Sequence, residues 1–320
     1  MIEASFSSKS KPPSAKILVN FDNSNKCLAP SKSDWDYSYQ TSWDCFCNIG
    51  LYQSPIPLTE SPTMKISHGV LSFKYTKAQN PIAVPKNHRE IDIHGNFGSL
   101  IYQISEKEAQ RFVSYKISFK FPSEHRINGK EYPLEVVVFH RNKESLEEAA
   151  LSILVKEDSK GETELNKFFE DIDSQTWSFD EEVSIQSKPD LRYLVAGEDG
   201  ESRKGFFSYM GSRSNPPCNE NVERFVFKKA LKIPISQLMS LKKKASKGNN
   251  ARIVKEETNR RIMVYYNKGK KTLEKDREVE REIRGQVKEK LDRTKNRLFP
   301  KKYVKVSTNT TDYIVKYKFF

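Results

Sequence analysis

The stretch SYKISFKFPSEHRINGKEYPLEVVVFHRN, residues 114–142, decides the fold. It holds two runs rich in β-branched and aromatic residues, SYKISFKF and LEVVVFH, and Pro, Asn and Gly between them favour turns. Similar runs recur from Trp35 to about Tyr266, namely VLSFKY, SLIYQIS, LSILVK, RFVFKKAL and RIMVYY. Helical periodicity is scarce there, and TELNKFFEDI at 163–172 is its clearest instance. The pattern predicts a mainly β fold: a large, mostly antiparallel sheet with few short helices.

Length and charge bound the class of protein. The chain has 320 residues and a formal net charge of +13, from 55 Lys and Arg against 42 Asp and Glu. Such a charge indicates anionic partners, which include nucleic acid, an acidic protein surface and an anionic membrane surface. No run approaches the roughly 18–20 apolar residues that a membrane span needs, so we expect none.

The N-terminal residues and the cysteines bear on location. MIEASFSSKSKPPSAKILVNF has no sustained apolar region, which argues against a secretory signal. It lacks arginine and contains Glu3, so a mitochondrial presequence is the less favoured alternative. Four cysteines are too few for a disulfide scaffold of this size, which favours buried, reduced thiols. We therefore expect a cytoplasmic protein, with cytoskeletal or ciliary association as one form of this expectation.

The chain divides by composition into three segments. Residues 1–30 are polar and rich in Pro, Ser and Lys, which indicates an extended arm, and 31–266 is the globular part. The extension 267–320 carries 17 Lys and Arg against eight Asp and Glu, a net charge of +9. Within it, 272–298 has a helical pattern, and the residues after Pro300 alternate as two strands would. One narrow apolar stripe runs along that helix: Val279, Ile283, Val287 and Leu291.

Three separated segments resemble the alpha-class carbonic anhydrases. They are WDYSYQTSWDCFCNIGLYQSPIPL (35–58), FKFPSEHRINGKEYPLEVVVFHRN (119–142) and FSYMGSRSNPPCNENVERFVFKKALKIPISQL (207–238). A weaker match, NNARIVKEETNRRIMVYY (249–266), resembles that family's closing strand. The resemblance implies a large twisted, mostly antiparallel sheet with a conical pocket at its centre. It also implies a zinc-dependent hydratase, unless the ligands have changed.

The ligand positions have changed. The family binds Zn²⁺ with three neutral imidazoles and leaves a fourth position open for water. The corresponding positions here are Ser118 and Lys120 on one strand and Val137 on the next. Serine is a poor ligand, lysine is cationic, and valine offers no donor atom. We therefore expect no metal or other cofactor and no enzymatic activity: a catalytically inactive carbonic anhydrase-related protein.

Other pocket positions are partly kept. Glu135 matches the acid that orients the third histidine and is expected to have no imidazole to hold. Glu124 and Ser214 match the acid and the hydroxyl of the family's gatekeeping pair. Ser99 stands at the proton-shuttle position, and Arg213 replaces an apolar wall residue. Four further residues complete the set: Lys116 for a ligand-orienting Gln, Arg224 for a pocket Trp, and His125 and His140 for structural histidines.

Two more expectations follow from the resemblance. Lys120 either replaces the charge of the metal by pairing with Glu124 or Glu135, or extends toward solvent and leaves a water-filled pocket. Cys47 and Cys218 match positions that form a disulfide in secreted members, but in a reducing compartment they would remain thiols.

Three classes of function remain open. The first is a structural or accessory subunit of a larger assembly of proteins, in which the apolar stripe of 272–298 binds a partner. The same stripe would also suit packing against its own domain. The second is binding of nucleic acid or an acidic protein surface, such as that of a microtubule, through the basic extension. The third is binding of bicarbonate or another small anion in the pocket by Lys120, Arg213 and Ser214.

Overall fold

A computed structural model describes most of the globular part and two short strands near the C-terminus. The described residues are 35–43, 46–59, 70–86, 88–105, 108–159, 166–195, 205–256, 260–265, 303–307 and 312–316. They belong to two compact units, one within 23–267 and the other including 268–320. The N-terminal arm 1–30 and the helix predicted at 272–298, with Val279, Ile283, Val287 and Leu291, lie outside the described residues.

Ten strands of the described residues form one sheet in the larger unit. They are β2 (Val70–Lys86), β3 (Glu90–Ser105), β4 (Glu108–Lys120), β6 (Leu134–Arg141), β7 (Glu148–Glu157), β8 (Val183–Ser184), β9 (Phe206–Ser212), β10 (Glu220–Phe227), β11 (Leu231–Ile233) and β12 (Met263–Tyr265). Their order is β12-β9-β10-β7-β6-β4-β3-β2-β8, and β11 pairs with β7. β10 and β11 run parallel to β7, whereas the other pairs are antiparallel. The predicted mainly β fold is confirmed.

Short elements complete this unit. β1 (Pro57–Leu58) pairs in parallel with β5 (Arg126–Ile127). The helices are α1 (Phe46–Ile49), α2 (Asn166–Asp173), α3 (Arg192–Val195) and α4 (Ile235–Ala245). α2 falls where the sequence predicts its clearest helix. Among the described helices, none is long and apolar enough to cross a bilayer.

The two faces of the sheet are covered differently. On one face, α2, α3 and α4 contribute to the main apolar core, which includes Phe168, Leu194 and Leu238 together with strand residues such as Leu100 and Phe112. Because side chains alternate along a strand, the other face receives the intervening residues. There the N-terminal segment and the loop at 249–256 cover the sheet, and Tyr37 and Asn250 contact Lys120.

The second unit contains a β-hairpin among its described residues. β13 (Tyr303–Ser307) and β14 (Asp312–Lys316) pair antiparallel, with Tyr303 opposite Lys316 and Ser307 opposite Asp312. This is where the alternating sequence after Pro300 predicts two strands. An isolated two-stranded hairpin is at best marginally stable in water.

Candidate functional site

The register of β3, β4 and β6 brings the family's ligand positions together. Ser118 lies opposite Val137, and Lys120 lies opposite Glu135 on β6. Ser118 and Lys120 are separated by one residue, so both side chains point to the pocket face. All four side chains are buried. The fold therefore retains the convergence on which a three-ligand site depends, while the residue types differ.

Lys120 occupies the centre of this site. Its Nζ lies 2.7 Å from the hydroxyl oxygen of Tyr37 and 3.1 Å from Oε2 of Glu90. It is 3.4 Å from the carbonyl oxygen of Asn250 and 3.8 Å from Oε1 of Glu124. The side chain is only 3% exposed. Lys120 therefore pairs with carboxylates inside the pocket and does not extend into solvent.

The main carboxylate partner, Glu90, is one that sequence reasoning missed. Its Oε2 also accepts from Nδ2 of Asn250 at 3.0 Å, and its Oε1 accepts from Lys86 Nζ at 3.0 Å. Burial raises the pKa of Glu90, but the ammonium groups of Lys120 and Lys86 outweigh burial and hold it below its usual value. Burial likewise lowers the pKa of Lys120, and Glu90 with its neighbours raises it well above the usual value. Both groups are therefore charged at neutral pH.

A second ion pair, between Lys116 and Asp92, lies on the same two strands. Lys116 Nζ is 3.1 Å from Oδ2 of Asp92, and Ser118 donates its hydroxyl to Oδ1 of Asp92 at 2.6 Å. Burial raises the pKa of Asp92, but Lys116 and the hydrogen bond from Ser118 hold it well below its usual value. The alternation of acids in EID (90–92) and of polar residues in KISFK (116–120) was a usable signal, because both place these side chains on one face.

Glu135 does hold an imidazole, which corrects the expectation that it has none. Its Oε1 lies 2.7 Å from Nδ1 of His125, and its Oε2 accepts from the backbone N–H of His125 at 2.8 Å. Nε2 of that ring is 2.7 Å from the hydroxyl of Tyr209. Burial lowers the pKa of His125, but Glu135 raises it to about 9. Burial raises the pKa of Glu135, but His125 lowers it to about 2.

The expected gatekeeping pair is not formed. Glu124 Oε1 accepts from the backbone N–H of Arg252 at 3.2 Å and faces Lys120. Its Oε2 is buried and has no hydrogen-bond partner among the described residues, Ser214 included. The physical reason is that Oε1 of Glu124 already faces the ammonium of Lys120 and accepts from the backbone N–H of Arg252. Ser214 itself is buried nearby in the loop before the Pro216–Pro217 bond.

Arg213 and Arg224, the basic residues predicted at the pocket, both have hydrogen-bond partners. Nε of Arg213 donates to Oε2 of Glu148 at 2.7 Å, and its Nη2 contacts Oε1 of the same carboxylate. Glu148 also accepts from Arg141 at 2.8 Å and from Tyr115 at 3.1 Å. Arg224, fully buried, donates from Nε and Nη2 to the carbonyl of Ser212 at 2.9 and 2.6 Å. Sequence reasoning missed Glu148, which closes this side of the pocket with ion pairs.

Ser99 and His140 lie apart from the centre. Ser99 is buried on β3, and its hydroxyl accepts from Nε of Arg111 at 3.2 Å. His140 is buried on the helix-covered face, where Nε2 lies 2.8 Å from the hydroxyl of Tyr75. Burial lowers the pKa of His140 to about 3, so its ring is neutral at physiological pH.

Cys47 and Cys218 form a disulfide, with their Cα atoms 5.0 Å apart. The expectation of reduced thiols is therefore wrong for this pair. It rested on an assumed reducing compartment, whereas the fold brings α1 and the loop after Pro217 into contact. The disulfide packs against Trp43, whose neighbours are Trp35 and Tyr37. It thereby supports the segment that places the hydroxyl of Tyr37 beside Lys120.

The donor atoms at the three ligand positions do not fit Zn²⁺. Ser118 Oγ is committed to Asp92, Lys120 is a paired ammonium, and Val137 has only carbon atoms to offer. Zinc sites in proteins use thiolate, imidazole and carboxylate donors. Within the part of the chain that the structure describes, no group of three or more His, Cys, Asp or Glu side chains is arranged to hold a metal ion.

Comparison with known proteins places the chain in a family. The family model described as eukaryotic-type carbonic anhydrase matches residues 31–269, so the chain belongs to the carbonic anhydrase family. A dioscorin, dioA3 of Dioscorea japonica, is 27% identical over 232 residues, which cover 71% of this chain and 80% of that protein. A carbonic anhydrase of Klebsiella pneumoniae is 26% identical over 227 residues, 68% of this chain and 86% of its own.

Solved structures agree on the fold. Carbonic anhydrase Cah3 from Chlamydomonas reinhardtii matches with a TM-score of 0.59 and 22% identity, covering 73% of this chain and 99% of its own. A dioscorin complexed with ascorbate matches with a TM-score of 0.54 and 23% identity, covering 73% of this chain and 93% of its own. At these identities the likeness concerns the fold alone.

Proposed function

We propose that this protein is a non-catalytic member of the carbonic anhydrase family that acts as a structural or accessory subunit of a larger protein assembly. The main observation behind the proposed loss of catalysis is the position of Lys120. A buried ammonium, paired with Glu90 and beside Glu124, lies where the family places a zinc ligand.

The chemistry of hydration supports this half of the proposal. Zinc-dependent hydration needs neutral nitrogen ligands and a water whose pKa the metal lowers to about 7. Here the pocket holds an ammonium whose pKa lies well above its usual value, because Glu90 outweighs burial. A second cation at bonding distance would be repelled by it, and the hydroxyl of Ser118 already serves Asp92.

The same ion pairs argue against a small-anion site in this pocket. Arg213 is held by Glu148, and Lys120 is held by Glu90. An anion would have to displace a buried carboxylate from either cation. We therefore place the binding function at the surface and the terminal extensions, where the net charge of +9 over 267–320 favours acidic partners. The apolar stripe of Val279, Ile283, Val287 and Leu291 is the proposed partner-binding element.

An acidic protein surface or nucleic acid would both suit this extension, and we favour the protein partner. Seven of its eight acidic residues lie within 272–298 among the bases, which suits a helix with mixed charges better than a phosphate-binding one. The disulfide between Cys47 and Cys218 supports an oxidising compartment over the cytoplasm, because reducing compartments keep thiols free.

Zinc content and hydration activity, measured on the same full-length preparation, test the first half of the proposal. We expect well below one zinc per chain after dialysis against zinc-containing buffer, and no stopped-flow acceleration of CO₂ hydration above buffer. An active family member run in parallel controls for both measurements. Stoichiometric zinc with activity would overturn the proposal.

Affinity capture tests the second half. A variant with Val279, Ile283, Val287 and Leu291 all changed to serine keeps the charge and length of the chain. We expect the unchanged chain to retain a defined protein partner that the variant loses. Equal capture by both chains, or capture that nuclease treatment abolishes, would refute the accessory role through this stripe.

A further inference from the structure

Among the described residues, the first half of β2 lies at an edge of the sheet. β3 pairs with β2 along one side, from Val70 to Lys86. On the other side, β8 covers only Ile82 and Ala83, and the segment around Asp190 reaches Lys77 and Ala78. Within the described residues, nothing pairs with the outer side of residues 71–76. Alternate backbone N–H and C=O groups of this stretch point to that outer side.

The side chains of this stretch alternate cleanly. Leu71 and Tyr75 are buried against the core, and Ser72, Lys74 and Thr76 are exposed. Phe73 points to the core side, where its ring centroid lies 5.3 Å from that of Tyr75 and 6.1 Å from that of Phe227. Phe73 nevertheless remains partly exposed, unlike Leu71 and Tyr75 on either side of it. An added strand would cover the open side of this ring.

Lys74 places a positive charge on the solvent side of the same edge. Lys74 lies opposite Ser99 on β3, and Ser72 lies opposite Ile101, which in turn pairs with Arg111 on β4. Arg111 is exposed and directs its Nε to the hydroxyl of Ser99, so it leans toward the row of Lys74. A strand added outside β2 would place its solvent-facing residues directly beside Lys74.

We propose that residues 71–76 of β2 bind an extended acidic peptide segment of a partner protein by adding it as a strand to the sheet. The segment would alternate apolar residues, which cover Phe73, with acidic residues, which face Lys74. Backbone hydrogen bonds supply affinity in this mode, and alternate side chains supply specificity. A second copy of this chain is a poorer occupant, because two chains of charge +13 repel.

This inference deepens the accessory role proposed above and names a second contact for it. It does not depend on the zinc and hydration measurements. A failure here would leave the results of those measurements and of the stripe variant unchanged, so the proposals can be rejected separately.

The test uses the full-length protein and a fluorescent, capped eight-residue peptide of alternating Glu and Val. Fluorescence anisotropy measures binding, and hydrogen exchange follows the backbone amides of 71–76. We expect saturable binding with slower exchange of alternate amides in this stretch. A peptide with Lys in place of Glu, and an acidic peptide N-methylated at every second residue, should not bind.

Charge reversal locates the site. Lys74→Glu, an exposed substitution, should weaken binding of the acidic peptide about fivefold. Lys243→Glu on α4 is the matched control, since it is also exposed, makes the same change in net charge and should leave the affinity unchanged. Equal effects of the two variants, or binding of the Lys peptide, would overturn the proposal. So would binding without slower exchange in 71–76. If sedimentation shows a dimer whose amides 71–76 are protected without peptide, the occupant is a second copy and the proposal is wrong.

Discussion

The Nζ of Lys120 lies 3.1 Å from Oε2 of Glu90, and neither side chain is more than 3% exposed. Each of these two buried charges is stabilised by the other, with Lys86 beside Glu90 and Glu124 beside Lys120 as further partners. Removing one member of a buried pair leaves an uncompensated charge, whereas removing both together costs much less. The pair is thus the part of the site whose energetics are most directly measurable.

Lys120→Met tests this dependence. We expect a loss of about 3–5 kcal/mol in the free energy of unfolding, because Glu90 remains buried with only Lys86 to compensate it. The double variant Lys120→Met with Glu90→Gln should recover a large part of that loss. Urea denaturation of all three chains measures the coupling, and a single variant as stable as the parent would show that the pair carries no such energy.

Restoring the imidazoles tests the geometry. Because Ser118 and Val137 are cross-strand neighbours, the triple variant Ser118→His, Lys120→His, Val137→His should bind about one zinc per chain. The double variant that keeps Lys120 should not, since the ammonium remains beside Glu90 and Glu124. Metal analysis after dialysis gives the answer. Zinc in the double variant, or none in a folded triple variant, would mean that the three positions do not converge as described.

The pair of His125 and Glu135 predicts a dependence of stability on pH. The folded pKa of His125 is raised from 6.5 to about 9, so its contribution is complete below about pH 6.5 and is lost as the pH rises through 9. The folded pKa of Glu135 is lowered from 4.5 to about 2, so its contribution is present above about pH 4.5 and is lost as the pH falls through 2.

His125→Gln is the variant that checks this dependence. It keeps a side chain that can donate a hydrogen bond to Glu135 but cannot gain the proton. Denaturation series from pH 6 to pH 10 should show the parent losing stability relative to the variant as the pH rises. Parallel curves for the two chains would exclude a charged His125 in the folded state.

Reduction of Cys47 and Cys218 should destabilise the protein. The two residues are 171 positions apart, so the bond constrains a long loop of the unfolded chain, and its loss costs about 3–5 kcal/mol. Cys47→Ser with Cys218→Ser reports the same cost without reductant. Denaturation with and without dithiothreitol should shift the midpoint of the parent and leave that of the double variant in place. An unshifted parent would show that the bond does not form in solution.

The sequence predicted the sheet and the convergence of Ser118, Lys120 and Val137 on one site. Alternation along β4 and β6 determines which face each side chain takes, and the resemblance supplied the pairing. The sequence did not predict that Glu90 is the carboxylate that pairs with Lys120. The register of β3 on β4 shifts between His94 and Ser99, and no local pattern determines which carboxylate then faces Lys120.

The other misses have separate physical causes. The partner of Glu135 was not predicted, because His125 lies ten residues earlier, beyond a turn, and no local pattern places its ring on that carboxylate. The disulfide was not predicted because its cysteines are 171 positions apart, and the low cysteine count of the chain favours thiols. Glu148 was missed because its partner Arg213 lies 65 residues further along the chain, so no local pattern indicates their contact.

The central cation of this fold is attached to the chain by covalent bonds. A metal centre is filled from a cellular pool, competes with chelators and is empty whenever supply fails. The ammonium group of Lys120 is part of the polypeptide, so every translated chain contains one. The charge at the centre of the architecture around Lys120 is therefore present as soon as the chain has folded.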